Sequence, residues 1–258
     1  MPRIHPTAVV DPGAKIADSV EIGAGCVVGP EVELGENVEL RPHAHVWGRT
    51  RIGSGTRIFP FVALGEEPQD RSFSGESTEL VIGRDNVIRE HVTIHVGTAR
   101  GGGCTRIGDD NLVMNGVHLG HDTVVGSHVI IASQCAVAGH VRIEDHAVVG
   151  GLSGIHQYAR IGESAMVAAL SGVTKDAPPF SLVAGERATL RGINVVGMRR
   201  RGFSAGTRGQ VKRAYQILFH AKLRLEPALQ RVREEGLDAP EVARLLAFLE
   251  SSERGFAR

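Results

Sequence analysis

Aromatic side chains are scarce, at 4% of 258 residues, so a core built on large rings is excluded and small aliphatic residues must supply the buried surface. Cysteine is equally thin. Cys26, Cys104 and Cys135 form no even set and no metal-ligand spacing, which argues against a disulfide framework and fits a reducing, cytoplasmic compartment. Net charge is absent, with 29 basic and 29 acidic residues, so no global field steers the chain to nucleic acid or a membrane surface, and neither partner is expected. No apolar stretch approaches the roughly 20 residues that a membrane-spanning helix needs, and integral membrane association is not expected. The opening Met1-Pro2-Arg3-Ile4-His5-Pro6 has no apolar core behind its positive charge and does not read as a secretory signal.

What the sequence does have is glycine, 33 residues of it, which is costly in regular structure unless tight turns recur. A repeat is present. Aliphatic residues fall at every sixth position from Ile4, Val10 and Ile16 through Leu64, resume at Ile82, Ile88 and Ile94, and resume again from Ile107 through Val173. Side chains repeat every 3.6 residues in a helix and every 2 in an ordinary strand, so neither explains a period of six. A hexapeptide repeat does: each hexad lays one short strand and one turn along a face of a triangular prism, and eighteen residues make a coil. The aliphatic residue points inward. The residue four later is the second inward slot and must be small or β-branched, as Ala8, Val20, Cys26, Thr50 and Val62 are. A glycine often follows the aliphatic residue (Gly23, Gly29, Gly35, Gly53, Gly65, Gly108, Gly126, Gly162), where a sharp corner is expected to require φ > 0.

Two stretches break phase, Glu66–Glu79 and Thr98–Thr105, and read as loops thrown out of the prism on one binding face. Pro178-Pro179 ends the coils, Asn194 to Phe203 reads as a link, and helical periodicity follows from about Ser204. Asp238 before Pro240 reads as a helix start, with Pro227 and Gly236 as punctuation, so about three helices are expected. The fold class is therefore an all-β solenoid over residues 1–190, followed by a small α-helical domain over 191–258.

Candidate chemistry sits on the histidines. Residues eighteen apart stack at strand spacing, about 4.8 Å, so His118, His121, His140 and His156 share one wall and Gly139 lies beside His121. His121-Asp122 suits a general base whose tautomer a carboxylate fixes, and Gly139 could offer its N–H to an oxyanion. A histidine strip has a rival use in zinc binding, to which His118 and His121 could contribute as in hexapeptide-repeat carbonic anhydrases. Those enzymes lack a long helical tail with an arginine cluster, so no metal and no cofactor are expected. Arg199-Arg200-Arg201 suit diphosphate oxygens. From Arg199 to Arg233 the only acid is Glu226, a local basic face suited to an acidic protein partner.

In these features the sequence resembles the UDP-N-acetylglucosamine 3-O-acyltransferases of lipid A biosynthesis. The likeness runs over nearly the whole chain: Ile4-His5-Pro6-Thr7-Ala8, Pro68-Gln69-Asp70, Arg89 to His95, Gly97-Thr98 with Gly101 to Gly103, His118 to Asp122, Ala138 to Val141, Ile155-His156-Gln157, Pro178-Pro179 and Arg200 to Phe203. The related N-acyltransferases of that pathway carry an extra N-terminal domain, whereas hexads begin here at Ile4. The resemblance implies a left-handed parallel β-helix, an obligate homotrimer, and transfer of a 3-hydroxyacyl chain from acyl carrier protein to UDP-N-acetylglucosamine. It implies His121 as general base, Asp122 as its orienting partner and Gly139 as oxyanion donor. Gln69 and Asp70 would bind the glucosamine, with His118 and His140 beside the reacting groups. His156, Gln157, Asn194, Arg200 and Arg201 would form the nucleotide set, and Ala169 the floor of the acyl pocket. Ser72 stands where the family often has lysine. Donor length, and whether the acceptor carries a 3-hydroxyl or a 3-amino group, stay open.

Overall fold

A hexad whose first residue is aliphatic and whose fifth is small can bury both only by turning a corner every six residues, and this is the path the chain takes. The computed structural model describes all residues from Met1 to Arg258. Three sheets of eleven, nine and eight strands, parallel but for the last strand of the first, form the faces of a prism, most strands being two residues long. Along the first face Ile4 pairs with Ile22, which pairs with Leu40, and along the second Val10 pairs with Val28, so each coil advances by eighteen residues. The coils make a left-handed parallel β-helix.

The aliphatic columns are the core. Ile58, Leu64, Ile94, Leu119 and Val137 have no exposed surface, and full burial of such a side chain is worth about 1.5–3 kcal/mol. The second inward slot holds as expected, with Val20, Cys26, Val62 and Thr50 buried. Its threonine hydroxyls are satisfied locally, Thr50 donating to the Trp47 carbonyl at 2.7 Å and Thr56 to that of Gly83 at 3.0 Å. The first coil has no neighbour on its outer side, and Ile4 there is 42% exposed.

The corners differ from expectation. Of the glycines that follow an aliphatic residue, only Gly65 has a positive φ, 79°. The left-handed residue is the third after the aliphatic, and it is rarely glycine: Asn37 (57°), Asp110 (54°), Asp122 (59°), His140 (60°), Tyr158 (63°) and Leu170 (59°) all adopt it. Each such residue costs on the order of 1–3 kcal/mol, and the stacked coils over-determine the corner. The glycines are needed for a different reason. A Cβ on Gly23 would lie 2.9 Å from the backbone nitrogen of Pro42 in the next coil, and one on Gly53 would lie 2.6 Å from the carbonyl carbon of Gly83, so these positions let successive turns approach.

The interruptions enlarge two coils. Pairing partners lie 30 residues apart across the first (Leu64 with Ile94) and 25 across the second (Ile94 with Leu119), where 18 is regular. The strands run into the loops: the chain leaves the prism after Glu66, returns at Glu79, and after the second loop rejoins at Cys104.

After the last coil, Ser181–Ala184 extends the first face and Thr189–Ile193 turns back antiparallel to it. Four helices follow, one in the link and the expected three in the tail: α1 (Val195–Arg200), α2 (Ala205–Tyr215) continued by a wider turn over Gln216–His220, α3 (Leu225–Glu234) and α4 (Pro240–Glu250). The expected link thus contains α1, capped by Asn194, whose side-chain oxygen accepts from the Gly197 amide at 2.9 Å. Ser204 caps α2 in the same way. Ala239, not Asp238, precedes α4, while Asp238 accepts from Gln210 at 2.9 Å. Pro227 fits inside the first turn of α3, where no intrahelical N–H is lost, and Gly236 at φ 67° ends it. Phe180, Met198, Val211, Leu229 and Leu245 form a second core under these helices. No helix is long and apolar enough to cross a membrane.

Candidate active site

His121 and Asp122 lie at the edge between the second and third faces, where Asp122 takes the left-handed corner conformation. That backbone places the Asp122 carboxylate back over the coil, fully buried, within 2.7 Å of His121 Nδ1. The second loop completes its surroundings. Thr98 donates its amide to Oδ1 at 2.8 Å and its hydroxyl to Oδ2 at 2.7 Å, and the Asp122 amide donates to Thr105 at 2.8 Å. With Nδ1–H of His121 directed to Asp122, Nε2 is left as the free basic nitrogen.

Gly139 follows one coil on and packs against the imidazole: a Cβ there would lie 2.6 Å from Cε1 and 2.7 Å from Nε2. The glycine is buried, yet its N–H makes no hydrogen bond within the chain, whereas the next amide, His140, bonds to the His121 carbonyl at 3.0 Å. A buried amide without an acceptor is unusual, and this one is left free to donate to an oxygen from outside the chain.

His140 meets His121 edge-on, centroids 5.0 Å apart, and stacks on Tyr158 at 4.5 Å, because corner residues eighteen apart superpose. Burial pushes the His140 imidazole below its ordinary pKa against the opposing pull of Asp122. His118 bonds through Nδ1 to Thr93 at 2.9 Å and is also pushed down, by burial first and then by His95 and His121. Asp70 in the first loop is held below the usual carboxylate range by the amide and hydroxyl of Ser72, both at 2.9 Å, with His121 and Arg100 adding to the effect, so this loop reaches towards the dyad. Gln69 beside it is exposed. A cavity of about 820 Å³ opens along the same edge, lined by Arg100, Asp122, His140, Arg142 and Tyr158 among others.

The other expected residues lie elsewhere. His156 and Gln157 are on the same edge as His121 but farther along, His156 donating from Nδ1 to the Gln157 carbonyl at 3.0 Å and bordering a cavity with Lys175, Arg187 and Arg254. Asn194 and Arg201 sit at the edge between the third and first faces, where Asn194 donates to the Ser164 carbonyl at 2.9 Å and Arg201 pairs with Glu163 and Ser164. Arg200 is exposed at the end of α1. Ala169 is exposed at the remaining edge, two residues beyond Val167 of the first face. One chain therefore unites His121, Asp122, Gly139 and His140, with His118 on the same coil and Asp70 within electrostatic reach, and leaves the nucleotide set divided between two edges. Thr98, Thr105, Tyr158 and His95 belong to the site without having been singled out. The eighteen-residue step from His140 points to Tyr158, but nothing in the spacing points to Thr98, which the second loop carries in, or to His95, which ends the strand Thr93–His95 and gains its partner, the Glu67 carbonyl, from the first loop.

His121, Asp122 and His140 each place one ligand atom within 4.8 Å of the others, close enough to hold a metal ion. Asp122 Oδ2, however, already accepts from Thr98 and His121, and His118 is turned to Thr93, so the donors are committed to a hydrogen-bonded dyad.

Comparison with known proteins agrees with this geometry. Residues 176–257 match the family model described as UDP-N-acetylglucosamine O-acyltransferase, domain 2, and residues 104–139 match the bacterial transferase hexapeptide model. The chain is 46% identical, over the full length of both proteins, to acyl-[acyl-carrier-protein]–UDP-N-acetylglucosamine O-acyltransferase of Thermodesulfovibrio yellowstonii, and 51% identical over 99% of each to that of an Anaeromyxobacter species. Among solved structures, the UDP-N-acetylglucosamine O-acyltransferase of Moraxella catarrhalis superposes with a TM-score of 0.96 at 40% identity over 99% of both chains. The Arabidopsis UDP-N-acetylglucosamine acyltransferase superposes with 0.87 at 33% over 99% of this chain and all of the other. With relatives this similar over its whole length, the chain belongs to the UDP-N-acetylglucosamine O-acyltransferase family.

Proposed function

We propose that this chain transfers a 3-hydroxyacyl group from acyl carrier protein to the 3-hydroxyl of UDP-N-acetylglucosamine, the first step of lipid A biosynthesis. The observation that carries the mechanism is the buried Asp122 holding His121 by Nδ1, with the bare Gly139 against its ring and the Gly139 N–H free. Nε2 of His121 takes the proton from the sugar hydroxyl as the oxygen attacks the thioester carbonyl. The oxyanion forms against the Gly139 N–H. Collapse breaks the C–S bond, and the imidazolium returns the proton to the departing thiolate of the carrier. Base and oxyanion donor on adjacent coils serve direct transfer by holding the reactants in position, so no acyl-enzyme is required.

Gln69 and Asp70 would hold the glucosamine from the first loop, with His118 and His140 flanking the reacting atoms. The nucleotide assignment to His156, Gln157, Asn194, Arg200 and Arg201 fits a homotrimer, because residues on two edges of one prism meet only when neighbouring prisms lie side by side. Exposed apolar corner residues support such an assembly: Leu152 is 62% and Leu170 is 70% exposed in the single chain. An acyl chain extending towards Ala169 would likewise run between subunits. A cytoplasmic setting fits the three cysteines, all free thiols.

Acyl carrier proteins charged with 3-hydroxyacyl chains of several lengths, assayed against UDP-N-acetylglucosamine and its 3-amino analogue, test this reading. Turnover with the 3-hydroxyl acceptor supports it. Turnover confined to the 3-amino acceptor would assign the chain to N-acylation instead.

A further inference from the structure

The first loop must be held over the dyad if it is to meet a substrate there, and its hydrogen bonds show where it is fastened. From Pro68 to Glu76 they are all internal: Ser72 to Asp70, Phe73 to Asp70, Ser74 to Glu76. The last tie before this stretch is at Glu67, whose carbonyl accepts from His95 Nδ1 at 2.6 Å. His95 is buried at 8% exposure, one residue past Ile94 on the second face, where the register slips by one residue between Leu64 and Glu66 as the chain leaves the prism. The neighbouring Glu66 carboxylate lies 2.7 Å from His45 Nε2. The His95 ring also meets His118 edge-on, centroids 5.2 Å apart. One imidazole thus touches both the root of the loop, two residues before Gln69, and a histidine beside the dyad.

We propose that His95 is a positioning residue: its Nδ1–H fixes the Glu67 carbonyl and thereby sets Gln69 and Asp70 over His121. The proposal rests on the reading of Gln69 and Asp70 as sugar-binding. The requirement is an N–H donor one atom beyond Cγ, a requirement that asparagine meets and glutamine overshoots.

Limited proteolysis of the whole protein reports the tether without reference to activity. Trypsin can cut after Arg71 in the first loop and after Arg100 in the second, both exposed, so Arg100 is an internal control. His95→Ala and His95→Gln should raise cleavage after Arg71 about three- to tenfold, the effect of one lost hydrogen bond, and leave Arg100 unchanged, while His95→Asn stays near wild type. The KM for UDP-N-acetylglucosamine should rise by a similar factor in the first two variants, with a smaller change in kcat. Unchanged cleavage after Arg71, or parallel increases at Arg71 and Arg100, would overturn the proposal, the second outcome marking general loosening. If cleavage after Arg71 rises while that KM stays constant, the tether stands and the assignment of sugar binding to Gln69 and Asp70 falls.

Discussion

Thr98 gives Asp122 both of its hydrogens, the amide at 2.8 Å and the hydroxyl at 2.7 Å, and so leaves the carboxylate as acceptor only. Asp122→Asn would confront one of these donors, or Nδ1–H of His121, with an amide NH₂. The imidazole then loses its enforced tautomer. Steady-state kinetics should show kcat lower by about 10²–10⁴-fold with the KM for UDP-N-acetylglucosamine changed little. His121→Ala should fall in the same range, and near-normal turnover by it would exclude His121 as base.

Gly139→Ala introduces a methyl group into the space of the His121 ring, 2.6 Å from Cε1. The φ of Gly139 is not positive, so the backbone tolerates alanine and the damage is confined to the imidazole. The variant should fold with nearly unchanged melting temperature and lose at least about tenfold in kcat, a small displacement of a reacting group being enough for that. A fall in melting temperature without loss of kcat would count against a role for this contact.

Ala169 tests the acyl path. Each buried methylene is worth about 0.8 kcal/mol, so Ala169→Met, by filling the pocket floor, should shift preference to shorter donors by roughly one order of magnitude in kcat/KM ratio. Equal use of long and short donors by the variant would remove Ala169 from the pocket.

Stability should fall with acidification before the carboxylates titrate. His118, His140 and His146 are all pushed below the ordinary imidazole pKa, in each case mainly by burial. The unfolded chain therefore binds more protons than the folded one below about pH 6.5, and the stabilisation present above that pH is lost as pH falls towards the folded-state values. The melting temperature should drop between pH 7.5 and 5, and His118→Gln with His146→Gln should flatten that slope. An unaltered slope would show that other groups govern it.

The aliphatic columns, the second inward slot and the pairing of Gly139 with His121 were legible because a period of six leaves one geometry open. The corners were misread because glycine serves two purposes that look alike in sequence. At Gly23 and Gly53 it admits the next coil, while the left-handed turn falls to residues such as Asp122, His140 and Leu170, whose stacked neighbours hold them there. Thr98 escaped notice because a loop carries it to the site, and loop paths follow no period; His95 stands on the second face beside Ile94, but its partner, the Glu67 carbonyl, is brought to it by the first loop. Asn194 was singled out by resemblance, yet in this chain its side chain caps α1 and bonds to Ser164, roles invisible without the helix it starts.

The register of the prism turns chain length into direction. Removing eighteen residues between the first loop and His121 would bring the two closer by one strand spacing, about 4.8 Å, on an unchanged side. Deleting a single hexad there would keep every aliphatic residue pointing inward, yet rotate the loop by a third of a turn and leave it facing away from the histidine. Only insertions and deletions of whole coils between these two segments keep the loop facing the histidine, although the hydrophobic interior would accept smaller steps.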